Sequence, residues 1–149
     1  MPLAFTPLAA QEGLGDFSYD GPLMTFRARF EPATARPGER VELVIEAIVP
    51  DGSKSYPTAD QEYAQATQID LQAPSWLRAL EGWVDPSNLK HEDHEFPTIY
   101  FTGVGVFRRG FEVAADAPLG ELRVPISLTY QICEATTDGS CFFPEPASV

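Results

Sequence analysis

Long apolar runs are missing from this chain of 149 residues. No stretch approaches the roughly 20 consecutive apolar residues that a membrane-spanning helix needs, so this segment does not itself insert into a bilayer. Met1 to Leu14 has no basic stretch followed by an apolar run, and no leader peptide is legible there. Positive charge is scarce: 10 Lys and Arg stand against 22 Asp and Glu, a formal net charge of −12. Such a surface repels phosphate backbones and anionic lipid heads, which argues against nucleic-acid and membrane-surface partners. Histidine is rare too. His91 and His94 are spaced three apart with no helical periodicity, unlike the pair four apart that closes on zinc, so the segment reads as a solvated acidic loop. Gly103-Val104-Gly105 lacks the third glycine and the following helix of a dinucleotide site. No serine sits in a nucleophile elbow. The sequence therefore calls for no cofactor and no metal.

What is present is alternation. Phe26, Ala28 and Phe30 point one way while Arg27, Arg29 and Glu31 point the other. Val41, Leu43, Ile45, Ala47 and Val49 share a face, as do Ile69, Leu71 and Ala73, Phe111 with Val113, and Leu122, Val124, Ile126, Leu128 and Tyr130. A period of two is the mark of half-buried strands. Turns fall between them at Arg36-Pro37-Gly38-Glu39, Pro50-Asp51-Gly52 and Ala117-Pro118-Leu119-Gly120. The 14 prolines and 11 glycines fit many short strands better than helices. Ser75 to Leu80 is the one helical candidate. Glu81 to Pro97 is the long irregular stretch, and Trp76 and Trp83 flanking its start read as core packing. Arg108-Arg109 reads as a solvated strand end. The expected fold is an all-β, immunoglobulin-like antiparallel β-sandwich over residues 21–149, with residues 1–20 an N-terminal extension or first edge strand.

The 2 cysteines, Cys133 and Cys141, can face each other across a hairpin centred on Thr137. Thr136-Thr137-Asp138 would form the loop, with Gly139 in the left-handed position that a three-residue hairpin favours. Opposed strand residues lie within disulfide reach. If the strand from Glu121 runs on unbroken, Cys133 shares the face of Thr129 and Gln131, opposite Leu128 and Tyr130, and its sulfur is open to a partner. A bridge across neighbouring strands closes a small loop and restrains the unfolded chain less than one joining two sheets. Two uses of the pair stay open at this point: a structural clamp and a reactive pair.

Thr129-Tyr130-Gln131-Ile132-Cys133, followed by Cys141-Phe142-Phe143-Pro144-Glu145, resembles the signature of the N-terminal periplasmic domain of the thiol:disulfide interchange protein DsbD family. His91-Glu92-Asp93-His94-Glu95-Phe96 is similar to the acidic segment leading into that family's cap loop, whose aromatic residue covers the cysteines. Gly52-Ser53-Lys54-Ser55-Tyr56 lies near where the family places an active-site tyrosine. The spacing of the cysteines is longer than in the family's best-known member, and His94 is an insertion, so Phe96, Tyr100 and Phe101 all remain candidates for the cap.

The resemblance implies a redox domain, excised from a longer membrane-anchored protein whose full length sits in the inner membrane. Cys133 and Cys141 would be catalytic, with Cys141 forming mixed disulfides and Cys133 resolving them. Asp93 and Glu95 would raise a nearby thiol pKa, and Tyr56, Tyr130 and Gln131 would surround the pair. The implied donor is a thioredoxin-like domain, and the implied acceptors are secreted or periplasmic disulfide-containing proteins, including those of cytochrome c biogenesis. The competing expectation is an immunoglobulin-like binding or spacer module with a purely structural bond.

Overall fold

The computed structural model describes residues 3–5, 23–93, 95–136, 139–143 and 147–148. Among them the regular elements are all strands: β1 (Leu3–Phe5), β2 (Thr25–Glu31), β3 (Thr34–Ala35), β4 (Arg40–Ile48), β5 (Ser53–Lys54), β6 (Gln68–Leu71), β7 (Leu77–Ala79), β8 (Lys90–Glu92), β9 (Thr98–Tyr100), β10 (Val104–Val113), β11 (Glu121–Leu122), β12 (Ile126–Thr129), β13 (Ile132–Glu134), β14 (Cys141–Phe142) and β15 (Ala147–Ser148). One layer is the antiparallel sheet β2-β4-β10-β7. Against it stand β15-β12-β6 and, continuing the same chain, β14-β13-β5. The smaller sheets β11-β1-β3 and β8-β9 complete a β-sandwich.

Alternation builds the core as the pattern requires. On β2, Phe26, Ala28 and Phe30 are buried and Arg27, Arg29 and Glu31 are exposed. Leu43, Ile45, Phe107 and Phe111 come from the same layer, and Val124, Ile126, Leu128, Tyr130 and Ile132 close on them from the other. The layers meet edge to face where the rings of Phe26 and Tyr130 lie 5.3 Å apart. Each large side chain sealed in this way contributes roughly 1.5–3 kcal/mol of apolar transfer.

Two expectations are corrected. Ser75 to Leu80 is not helical: Leu77, Arg78 and Ala79 pair with Val113, Glu112 and Phe111 as an edge strand. Burying Leu77 against the core and completing the ladder of β10 outweighs a weak helix propensity. Arg108-Arg109 lies within β10 rather than at its end. Arg108 donates to Glu42 on the neighbouring strand at 2.7 Å, and Arg109 donates to the Glu81 carbonyl and lies over the Trp83 ring.

The feature that positions the site is a change of partner. β12 pairs with β6 and β15, but after Tyr130 and Gln131 the chain resumes as β13 between β5 and β14. Gln131 is fixed at the break: its carbonyl accepts from Ser55 Oγ at 2.6 Å, and its side-chain oxygen accepts from the Gln65 amide at 2.7 Å. The turn feeding β5 depends on Gly52, whose φ of 78° lies where a side chain would be strained.

Candidate redox site

Three strands bring three side chains into one row. Cys133 on β13 stands opposite Cys141 on β14 on one side and opposite Lys54 on β5 on the other. Opposed residues in a sheet project to the same face. The two sulfurs are bonded at 2.07 Å, with Cα atoms 4.0 Å apart. The hairpin register expected from the sequence is the register found. Thr137 and Asp138, expected in its loop, lie outside the described residues. Gly139 is required by the close return of the chain: a Cβ there would stand 2.5 Å from the Glu134 carbonyl oxygen.

The two ends of the bond have unlike surroundings. Cys133 is 1% exposed, while Cys141 is exposed. The strand does not run on unbroken as the parity expectation required, yet Cys133 still lies outside the apolar cluster to which Ile132 belongs. Its sulfur is nevertheless covered, contrary to expectation. Tyr56, itself 3% exposed, donates its hydroxyl to Cys133 Sγ at 3.1 Å. Burial, and secondarily the Glu92 carboxylate, pushes the Tyr56 phenol up to about 12, so the group stays a protonated donor. Lys54 Nζ is 2.6 Å from Glu92 Oε2 and 4.9 Å above the Tyr100 ring. This joins β5 to the β8–β9 hairpin and sets a compensated charge pair beside the disulfide.

These groups line an open cleft of about 330 Å³ that reaches both cysteines. Its rim carries Phe96, 52% exposed, and Tyr63, 43% exposed, whose rings meet edge to face with centroids 5.1 Å apart. Thr98 turns a buried hydroxyl into the wall with no hydrogen-bond partner among the described residues. A second hollow of about 460 Å³ adjoins, sharing Tyr63 and lined by Gln61, Gln65, Gln131 and Phe143.

Of the residues singled out from the sequence, Cys133, Cys141, Tyr56 and Phe96 share the first cleft. Tyr100 lies under the Lys54 ammonium instead. Phe101 does not reach the cysteines: it is fully buried, stacked edge-on to Phe107 and fitted against Gly105, where a Cβ would strike its ring. Tyr130 is a core residue whose hydroxyl accepts the Met24 amide. Gln131 holds the strand break. Asp93 and Glu95 are exposed and do not line the cleft; the carboxylate that does is Glu92. On so short a hairpin, one residue of register decides which side chain turns inward. Sequence reasoning missed Lys54, Tyr63, Glu92 and Thr98. Lys54 and Glu92 fall inside the two segments already noted, whereas nothing in the pattern around Tyr63 marked it.

Fold and site together define an immunoglobulin-like β-sandwich with a cross-hairpin disulfide in an open cleft at its edge. In fold the chain is similar to the N-terminal periplasmic domain of ScsB from Proteus mirabilis, with a TM-score of 0.55 and 14% sequence identity, over 92% of this chain and 49% of that one. The chain thus spans about half the length of that structure. No protein-family model and no curated protein sequence matches it.

Proposed function

We propose that this domain exchanges disulfides with other proteins outside the cytoplasm, carrying electrons from a thioredoxin-like donor to oxidised acceptors. The observation that carries the reading is the asymmetry of the bond: Cys141 is exposed in a cleft open to solvent, and Cys133 is sealed behind Tyr56. The likeness of fold to a periplasmic domain supports the location, as does the resemblance of the cysteine flanks to the DsbD family. In the whole protein, the donor would be fed by a relay in the inner membrane.

The chemistry follows from access. A donor thiolate attacks Cys141 Sγ, the Cys133–Cys141 bond breaks, and Cys133 leaves as a thiolate that the Tyr56 hydroxyl stabilises. The donor's second thiolate then attacks its own partner sulfur, closing the donor disulfide and freeing Cys141. The reduced pair runs the same steps toward an acceptor. Cys141 thiolate attacks an acceptor disulfide, one acceptor sulfur leaves, and Cys133 thiolate attacks Cys141 to re-form the bond and release the second acceptor thiol. Two electrons and two protons enter from the donor in the first half and leave with the acceptor in the second. Phe96 and Tyr63 at the rim restrict which molecules reach the sulfur.

Reduction potential and trapping test this together. The expected potential is well above the roughly −300 mV below which structural bridges lie. Cys133→Ala should accumulate mixed disulfides through Cys141, and Cys141→Ala should not. A structural potential with no trapped partner for either variant would leave only the spacer reading.

A further inference from the structure

The hydrogen-bond phase of the hairpin, taken with the exposure of Cys141, shows how a partner chain would be held. The Glu134 amide donates to the Ser140 carbonyl at 2.9 Å, which makes Glu134 and Ser140 a hydrogen-bonded pair. In an antiparallel ladder such pairs alternate with pairs whose backbone groups point apart. Cys133 and Cys141 are therefore a pair of the second kind, as their 4.0 Å Cα separation also requires. The amide and carbonyl of Cys133 turn toward β5, where the next pair along the ladder is bonded through the Ala135 amide and the Gly52 carbonyl. Those of Cys141 turn the other way, to the outer edge of β14. Among the described residues no strand pairs on that side.

We infer that this edge is the docking track for an extended segment of the partner protein, the segment that carries the partner's own cysteine. The inference rests on the redox reading above and adds the mode of recognition. An antiparallel segment that exchanges both backbone hydrogen bonds with Cys141 places its opposed residue about 5.5 Å away at Cα, with its side chain on the same face. That is the separation and orientation a disulfide needs. Backbone pairing therefore delivers a partner cysteine to Cys141 Sγ whatever its neighbours are.

The track continues beyond the sulfur. Two residues on, just past β14, Phe143 is 65% exposed and lines the hollow with Gln61, Gln65 and Gln131. In the antiparallel sense, the partner residue two before its cysteine lies against Phe143. A cavity walled by amides, two aromatic rings and the Glu62 carboxylate accepts a polar or basic side chain there. Selectivity belongs to that subsite, and alignment belongs to the backbone.

The test uses Cys133→Ala, which leaves Cys141 as the single thiol, and three probes bearing the same aromatic thiol as leaving group. One is a small symmetric aromatic disulfide. The second is a short peptide whose central cysteine carries the aromatic thiol. The third is that peptide with its cysteine amide N-methylated. In each reaction Cys141 thiolate attacks the probe's sulfur, a mixed disulfide forms, and the released aromatic thiolate is read by absorbance. The plain peptide should react on the order of tenfold faster than its N-methylated form, the factor expected for one or two backbone hydrogen bonds. In the trapped complex, the Cys141 amide should gain hydrogen-exchange protection. The reduced native chain supports the same comparison should the variant not fold. Equal rates for the two peptides with an unprotected Cys141 amide overturn the docking track while leaving the redox reading intact. Failure of all three probes to react overturns the redox reading itself.

Discussion

Strands β2, β4 and β10 run for 7, 9 and 10 residues, whereas β5, β13 and β14 in the sheet that carries the cysteines have 2, 3 and 2. The long strands bury one apolar face and turn charges outward. The short ones and the residues beside them bury polar groups instead: Ser53, Lys54, Ser55 and Gln131 are all buried. Each of those groups needs a partner or costs about 1–3 kcal/mol in lost solvation. Hydrogen bonds from Ser55 to the Gln131 carbonyl, from the Gln65 amide to the Gln131 side chain and from Lys54 to Glu92 supply partners for three of the four. Division of labour follows from this. The long sheet sets stability, and the short one holds the disulfide in a defined place at little net gain.

The sharpest way to break that comparison is a matched pair of phenylalanine truncations. Phe107→Ala removes a fully buried ring from the long sheet and should cost about 3–5 kcal/mol in chemical denaturation. Phe96→Ala removes a ring that is already half exposed and should cost under about 1 kcal/mol. Its effect should appear in kinetics instead, as faster reaction of the disulfide with a small thiol. If Phe96→Ala destabilises as much as Phe107→Ala, or leaves the reaction rate unchanged, the rim is not a lid.

The second contrast concerns charge inside the cleft. Lys54→Met strands the Glu92 carboxylate, whose side chain is 21% exposed, without its cation. Breaking one partner of a largely buried pair should cost about 2–4 kcal/mol. Replacing both, as Lys54→Met with Glu92→Leu, should recover most of that loss. Non-recovery in a double-mutant cycle would mean that the two residues serve stability by packing, independently of each other.

A smaller effect belongs to Tyr56. Tyr56→Phe deletes the hydroxyl that meets Cys133 Sγ while leaving the ring in place. A donor strengthens its bond to a thiolate more than to a disulfide sulfur, so its loss disfavours reduction. The potential should fall by about 20–30 mV, the equivalent of one such bond. The phenol's raised pKa fixes the sign of its pH dependence. The folded protein holds this proton more tightly than the unfolded chain, so the contribution is complete below the unfolded pKa of about 10 and is lost as pH rises through about 12. Subtracting the alkaline absorbance titration of Tyr56→Phe from that of the native chain isolates this phenol; a midpoint near 10 would contradict its burial.

What the sequence made legible divides along the same line. Alternation from Phe26 to Phe30 and from Val41 to Val49 dictated strands because a two-residue period has one structural meaning once a face is buried. The opposition of Cys133 to Cys141 was readable because a hairpin's midpoint fixes every pair in it. The cleft was not readable. Tyr63 and Phe96 lie far apart in the chain and meet through loops whose course no local pattern encodes. Phe96, Tyr100 and Phe101 looked equivalent as caps, yet tertiary packing sends one to the rim, one beneath a lysine and one to the core. A run of polar residues such as Gly52 to Tyr56 predicts exposure, and its burial depends on which strand docks alongside.

The smallest expected effect lies on the outer face of the long sheet. Arg108 bridges Glu42 at 2.7 Å and Glu31 at 3.6 Å, with side chains 41%, 42% and 46% exposed. By distance the Arg108–Glu42 pair rivals that of Lys54 and Glu92. By solvation it does not, because water already screens each charge and the long side chains lose entropy on pairing. Arg108→Gln should therefore change stability by less than about 1 kcal/mol, with the difference shrinking as salt rises from low to physiological ionic strength. Lys54→Met should keep most of its penalty across the same range, because a carboxylate in the cleft wall is poorly reached by mobile ions. Parallel salt titrations of the two variants separate the cases. A salt-insensitive loss at Arg108, equal to that at Lys54, would show that burial is not what distinguishes the two faces.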